Sequence, residues 1–190
     1  MISIAGSPNL TQFIAPTAYI FAFVSCLFAW VRDSRAPRRR QLVAVLAALE
    51  AVLLLDVAFH GRWRLHDLLE NVAKASNLYA ERAGRQHVAL GIVGSVGAAG
   101  IGLALVLFRG RPGSSLAACG GILSLCCWCV EVISLHSVDT LLYRSMNGVM
   151  VVRLAWAVCS LMVGFGILWD TFAVRVRARS GKLPVEARPA

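Results

Sequence analysis

The chain has 190 residues, of which 58% are hydrophobic and 15% are charged. A soluble globular domain typically has about 25% charged residues, so this composition excludes an ordinary water-soluble fold and favours a protein whose solvent is the lipid bilayer. The net charge of +9 fits attraction to anionic lipid, because the basic residues flank apolar segments and do not form one face of a soluble fold. We therefore do not expect nucleic acid as a partner.

Five apolar segments are each long enough to cross a membrane, which takes about 20 mostly apolar residues. Backbone groups in lipid must be satisfied internally, and these segments lack the period-two alternation of barrel strands, so they are predicted to be helices. The predicted class is all-α, a polytopic integral membrane protein with a five-helix transmembrane bundle and a short amphipathic helix on its outer surface. One domain, 1–190, contains the spans 13–31, 41–59, 88–108, 115–136 and 149–171 and a cytoplasmic tail, 172–190.

The distribution of basic residues predicts the orientation of the chain. The stretch before the first span has no Lys or Arg, whereas Arg32, Arg35, Arg38, Arg39 and Arg40 follow that span. By the positive-inside rule, the N-terminus lies outside and the C-terminal tail is cytoplasmic. We expect this topology in a bacterial inner membrane or a plasma membrane.

The segment 61–87 is the longest stretch between two predicted spans. Leu65, Leu68, Leu69 and Val72 recur there at helical spacing, which predicts an amphipathic helix along the outer surface. Its function is open between two alternatives, a lid over the bundle and an interfacial connector.

Charged residues inside the predicted spans indicate where functional chemistry would lie, because an isolated charge at the bilayer centre costs about 2.5 to 3.5 kcal/mol. Asp56, Glu131 and Arg153 each lie roughly 6 to 8 Å from the outer ends of their spans, at 1.5 Å of rise per residue. We predict a structural ion pair in which the Arg153 guanidinium binds Asp56, Glu131 or both. Glu50 is an intramembrane acid near the midplane, where it either carries a proton or has a partner that the sequence does not identify.

Histidines lie at the outer ends of the predicted spans and could join the carboxylates in a site. The catalytic candidates are Asp56, His60, Glu131 and His136, and the metal candidates are His60, His87 and His136. No compact pattern such as His-Glu-x-x-His is present, and interfacial hydrogen bonding is the alternative role. Haem is disfavoured because a buried bis-histidine site needs ligands inside two helices. The sequence does not identify a cofactor.

The third span carries small residues at regular spacing, which allow helix backbones to approach closely. The contact could be within the bundle, with a membrane-protein partner or with a second copy of the chain. The residues of this predicted packing surface are Gly91, Gly94, Gly97, Ala98 and Gly102.

Sequence signals leave three functional classes. An accessory or structural subunit of a membrane assembly fits best the small size, the glycine ridge and the absence of catalytic motifs. The alternative is a membrane-embedded enzyme or metal-binding protein that uses the outer histidine and carboxylate layer, and a second alternative is a small proton-linked transporter. Cys126 and Cys129 have a C-x-x-C spacing, but a thiol inside a span is an inert hydrophobe. The sequence does not decide whether the protein is an enzyme, and it identifies no reaction or cargo.

The orientation can be tested by cysteine accessibility in intact cells. A cysteine at Thr11 should react with a membrane-impermeant maleimide, whereas a cysteine at Ser180 should react after permeabilisation, because the basic residues hold the tail in the cytoplasm. Labelling at Ser180 without permeabilisation would reverse the predicted topology.

Overall fold

A computed structural model describes the backbone of residues 11–32, 37–76, 82–133, 136–146 and 149–179; the side chains of residues 11, 12, 136, 137, 139, 146 and 174–179 lie outside the description. The described residues are almost entirely helical. The helices are α1 (Thr11–Arg32), α2 (Pro37–Phe59), α3 (Gly61–Ala75), α4 (Arg82–Leu107), α5 (Pro112–Ile133), α6 (His136–Leu142) and α7 (Val151–Arg179). Two short strands, β1 (Ser145–Met146) and β2 (Val149–Met150), pair antiparallel between α6 and α7.

Five of these helices, α1, α2, α4, α5 and α7, are long and apolar enough to cross a membrane. The predicted class is therefore confirmed: the chain is an all-α, multi-pass integral membrane protein, and lipid is its surroundings. The helix bounds differ from the predicted spans at several points, because a helix can continue past the apolar segment or stop inside it. α4 already begins at Arg82, α5 already ends at Ile133, and α7 continues to Arg179.

α5 and α7 form the closest helix pair of the bundle, and glycine makes that approach possible. A Cβ atom on Gly113 would meet the carbonyl oxygen of Gly166, and a Cβ atom on Gly120 would lie 2.7 Å from the carbonyl oxygen of Cys159. α1 and α2 complete the core against α7. α5 and α7 thus form the centre of the bundle, where polar groups on facing helices can meet.

The core has two apolar clusters at different depths. The first surrounds Tyr19, Leu53 and Trp156, near the end of the bundle at which α3 lies. We call that end the α3 end, and the opposite end, where α2 and α5 begin, the tail end. The second cluster lies towards the tail end and consists of Ala22, Cys26, Ala29, Val43, Leu46, Ala117, Val163 and Ile167.

α4 is the peripheral helix of the bundle. It packs on α5, and 11% of its most apolar window is buried, compared with 50% for α7. Gly97 and Gly100 face Cys126 and Ile122 of α5, whereas nothing lies within 4 Å of a Cβ atom built on Gly91, Gly94 or Gly102. The predicted glycine surface is therefore divided between a face on α5 and an open face.

Replacing Gly166 with Ala should destabilise the bundle, because the new methyl group would lie 2.7 Å from the backbone nitrogen of Ala117. Overpacking of this kind typically costs about 1 to 3 kcal/mol, and thermal unfolding in detergent would measure it. Gly102→Ala is the matched control, since its methyl group meets open space and alanine favours a helix by about 0.5 to 1 kcal/mol. A control that loses as much stability as Gly166→Ala would contradict the close α5–α7 contact.

Candidate functional site

A tight turn between α2 and α3 places α3 across the α3 end. His60 adopts a left-handed backbone conformation, with φ 55° and ψ 37°, directly between the two helices. Histidine is among the residues that enter this region more often than most. Gly61 follows, and a Cβ atom there would lie 2.9 Å from Oδ1 of Asp56, so the turn needs a residue without a side chain. The turn directs the next side chain, that of Arg62, into the bundle.

Arg62 is the cation that binds both predicted carboxylates. Its Nε donates to Oδ2 of Asp56 at 2.7 Å, and its Nη1 donates to Oε2 of Glu131. The three side chains are between 4% and 8% exposed. The other oxygen of Glu131, Oε1, accepts a hydrogen bond of 2.7 Å from Nε1 of Trp156, and the guanidinium carbon lies 4.8 Å from the centroid of that ring. We call Asp56, Arg62, Glu131 and Trp156 the Arg62 cluster.

The electrostatics of the Arg62 cluster keep the arginine charged. Burial by itself would lower the pKa of the Arg62 guanidinium, but the adjacent carboxylates of Glu131 and Asp56 outweigh burial and raise it above its usual value. The cation is therefore present at every pH at which the protein would be handled.

The ion-pair prediction named the wrong arginine. Arg153 lines the same cavity as Asp56 and Glu131, but among the ion pairs of the described residues both carboxylates bind Arg62. Arg153 is half-buried at the beginning of α7, because that helix starts at Val151 and not at the predicted 149. The cation that both carboxylates bind therefore comes from α3.

A cavity of about 360 Å³ opens beside the Arg62 cluster. Charged and imidazole groups from several helices line it, namely Asp56, His60, Arg62, Glu131 and Arg153. Trp63 and Tyr143, whose rings stack with centroids 6.1 Å apart, form part of its wall. The cavity is large enough for several water molecules or a small polar molecule.

The histidines are not gathered into a site by the described residues. His60 is exposed at the cavity, Nδ1 of His66 lies 3.1 Å from the carbonyl oxygen of Val132, and Nδ1 of His87 lies 2.6 Å from that of Ala83. The side chain of His136 lies outside the description. Among the described side chains, no three from His, Cys, Asp and Glu are grouped as metal ligands.

Glu50 has the partner that the sequence did not identify. The hydroxyl of Ser160, on α7, donates to Oε2 of Glu50 at 2.9 Å, and Glu50 is 0% exposed. Within the described part of the chain, Oε1 of Glu50 and the hydroxyl of Ser124 are buried without a hydrogen-bond partner. Glu50 therefore has a polar contact at one carboxylate oxygen and none among the described residues at the other.

A buried polar group at the tail end, formed around Asp170, was not predicted from the sequence. The carboxylate of Asp170 accepts hydrogen bonds from the backbone nitrogens of Gly113 and Ser114 at 3.1 and 2.7 Å and from the Ser114 hydroxyl at 2.5 Å. Nearby, Arg39 donates to the hydroxyl of Thr171 at 2.6 Å. Asp170 therefore caps the beginning of α5 from another helix. The sequence signal for this contact was the position of Asp170, an acidic residue just inside the end of the predicted span 149–171.

Replacing Arg62 with Met should strongly destabilise the protein, because it leaves two buried carboxylates without a cation. Removing one partner of a buried pair typically costs about 3 to 5 kcal/mol, which unfolding in mixed detergent micelles would measure. Adding Asp56→Asn and Glu131→Gln to Arg62→Met should restore much of the loss. Arg153→Met is the control and should cost far less, so a larger loss from Arg153→Met than from Arg62→Met would refute this assignment.

Chemically, the site combines a fixed ion cluster, in which one arginine binds two carboxylates, with a cavity that an exposed histidine and a second arginine line. Such an arrangement can hold helices together and can bind a polar group in the cavity. Comparison of the chain with protein families, with curated proteins and with solved structures gives no significant match.

Proposed function

We propose that the protein is an accessory, structural subunit of a membrane assembly and that it contacts a transmembrane helix of a partner subunit through α4. The observation that carries this proposal is the open face of α4, with glycines that nothing in the described bundle covers. The contact surface is the α4 ridge, which consists of Gly91, Gly94, Ala98 and Gly102.

The α4 ridge is a continuous stripe along the helix. At about 100° per residue, its four members fall within an arc of roughly 80°, on a different side from Gly97 and Gly100. All four are exposed within the described bundle. Small residues in membrane helices concentrate where another helix packs, since they let the backbones approach and gain dispersion contacts. A ridge of this kind on a helix that packs on one neighbour favours a second helix as its occupant.

The Arg62 cluster supports a structural role for the buried charges. Both oxygens of Glu131 are engaged by Arg62 and Trp156, whereas a general base needs an accessible oxygen within hydrogen-bond reach of its substrate. The cluster joins α2, α3, α5 and α7, and a structural role would be to hold these four helices together.

A membrane-embedded enzyme or metal-binding protein is the second candidate. The cavity favours it, because His60 and Arg153 line its wall beside Asp56 and Glu131. A proton-linked transporter would need a polar path across the whole bundle. The apolar cluster around Val43 and Ile167 lies in such a path, so this third function has less support.

We further infer that the α3 end faces outside and the C-terminal tail faces the cytoplasm, in a bacterial inner membrane or a plasma membrane. The clustered arginines at the start of α2 support this orientation. The open face of α4 then lies in the plane of the bilayer, where a partner helix can reach it.

Two adjacent alanines offer a matched test of the α4 ridge. Ala98 belongs to the α4 ridge. Ala99 is also exposed, but it lies about 100° around the helix from Ala98. Ala98→Leu should remove the protein from a larger complex by separating the two helix backbones, whereas Ala99→Leu should leave the complex intact. Native mass spectrometry after solubilisation in mild detergent measures both the mass and the composition of the complex.

Each outcome of that measurement decides the proposal. A complex that contains a second kind of chain in fixed stoichiometry, and that Ala98→Leu alone dissociates, supports it. A complex whose mass is a multiple of 20.5 kDa identifies the occupant as a second copy and overturns the accessory role. The wild-type chain found as a monomer, or equal loss with both variants, also overturns it.

A further inference from the structure

Glu50 is the most enclosed acidic side chain among the described residues, and its bonding is incomplete. Its residue is 0% exposed, and one neutral donor, the Ser160 hydroxyl, reaches Oε2. Oε1 faces no hydrogen-bond partner in the described part of the chain. Ser124 of α5 lies between Gly120, which faces Cys159, and Glu131, which bonds Trp156, so it is at about the same depth as Glu50. The Ser124 hydroxyl is also unpartnered among the described residues.

The surroundings of Glu50 supply no charge to balance an ionised carboxylate. Among the described residues, Glu50 acts electrostatically on Tyr19 and Cys26 of α1 and on Cys159 of α7, and each of these groups is uncharged at neutral pH. Arg62, a described cation towards the α3 end, is bound by Asp56 and Glu131. An unpaired buried charge is far more costly than a buried neutral acid. These surroundings therefore favour the neutral, protonated form of the Glu50 carboxyl group.

Tyr19 packs with Leu53 and Trp156, between the depth of Glu50 and that of the Arg62 cluster. Its residue is 0% exposed, its hydroxyl is buried without a hydrogen-bond partner among the described residues, and it lies within electrostatic reach of Glu50, Arg62 and Glu131. The Tyr19 ring meets Trp156 edge-on, with centroids 5.8 Å apart. A phenol hydroxyl both donates and accepts a hydrogen bond, so Tyr19 can take a proton from one side and release its own to the other.

Towards the tail end, the interior is apolar. Ser160 and Asp170 are separated by about 15 Å along α7, and Val163 and Ile167 fill the core between them at 0% exposure. Ala22, Val43 and Leu46 complete this layer. The buried hydroxyl of Ser25 bonds to the carbonyl oxygen of Phe21 in its own helix. The layer thus provides no chain of polar groups from Glu50 to Asp170 among the described residues.

We propose that Glu50 is a proton-binding site inside the bilayer that exchanges its proton with the α3 end and not with the tail end. On release, the O–H bond of the Glu50 carboxylic acid breaks as a water molecule accepts that proton, and this water passes a proton to the Tyr19 oxygen. The Tyr19 hydroxyl gives its own proton to a second water molecule on the side of the Arg62 cluster. Uptake is the reverse, and no electrons are transferred. This site does not depend on the proposed role of α4.

Infrared spectroscopy of the purified full-length protein in detergent tests the proton on Glu50. The wild-type protein should show the C=O stretch of a protonated carboxylic acid at neutral pH, and Glu50→Gln should remove that band. On transfer to D₂O the band should shift as O–H becomes O–D. A wild-type spectrum without the band, or a band that Glu50→Gln leaves in place, overturns the proposal.

The route is tested by the rate of that isotope shift. Tyr19→Phe removes the relaying hydroxyl and should slow the shift about tenfold, which corresponds to a barrier higher by about 1.4 kcal/mol. Thr171→Val, at the tail end, is the control and should leave the rate unchanged. Equal rates in wild type and Tyr19→Phe, or slowing by Thr171→Val, refute exchange through the α3 end.

Chemical labelling of the wild-type protein tests the proton on Glu50 without any substitution, so it does not depend on whether a variant folds. Dicyclohexylcarbodiimide adds to protonated carboxylic acids in apolar surroundings and leaves a stable N-acylurea, which peptide mass spectrometry locates. In the wild-type protein we expect the adduct on Glu50, in a yield that falls as the pH rises. An adduct on Asp56 or Glu131 with none on Glu50 overturns the proposal.

Discussion

The bridge from Arg62 to Asp56 and Glu131 is the interaction on which the α3 end depends. It joins α3 to α2 and α5, and Trp156 extends it to α7 through Glu131. Burial of two carboxylates in a bilayer would be unfavourable without this cation. The left-handed His60 and the following Gly61 serve the same interaction, because they turn the chain so that Arg62 enters the bundle. The same turn leaves the apolar side chains of Leu68, Leu69 and Val72 exposed, as expected for a helix in contact with lipid.

Helix α5 depends on other helices at both of its ends. Asp170 of α7 accepts the first backbone N–H groups, while Gln86 of α4 donates to the last carbonyl, that of Ile133. His66 of α3 lies beside the carbonyl oxygen of Val132. The ends of a helix leave backbone groups unsatisfied, and in a membrane such groups need partners within the protein. These contacts fix α5 against three helices, so that its inner face can carry Glu131 at a defined depth.

Composition and apolar length were sufficient to predict the class and the five spans, and they singled out Asp56 and Glu131, which bind one cation in the structure. They could not identify Arg62 as the cation, because its position depends on the turn at His60 and not on its depth in a span. Asp170 and Arg39 were likewise missed, since charges near a span end are common in sequences and only tertiary contacts distinguish a cap from a solvated residue. The glycines of α4 predicted close packing, but which of them face α5 depends on the rotation of the helix, which the spacing alone does not determine.

The spacing of the Arg62 cluster along the chain also bears on how the protein is made. Asp56 and Arg62 are separated by a single turn between consecutive helices, whereas Glu131 belongs to a helix that is synthesised much later. The first ion pair can therefore form while the ribosome is still translating α4, and it neutralises the acid of α2 during insertion. The second carboxylate then arrives at a cation already in place. In this order α2 and α5 enter the bilayer one after the other, and Arg62 pairs first with Asp56 and then with both Asp56 and Glu131.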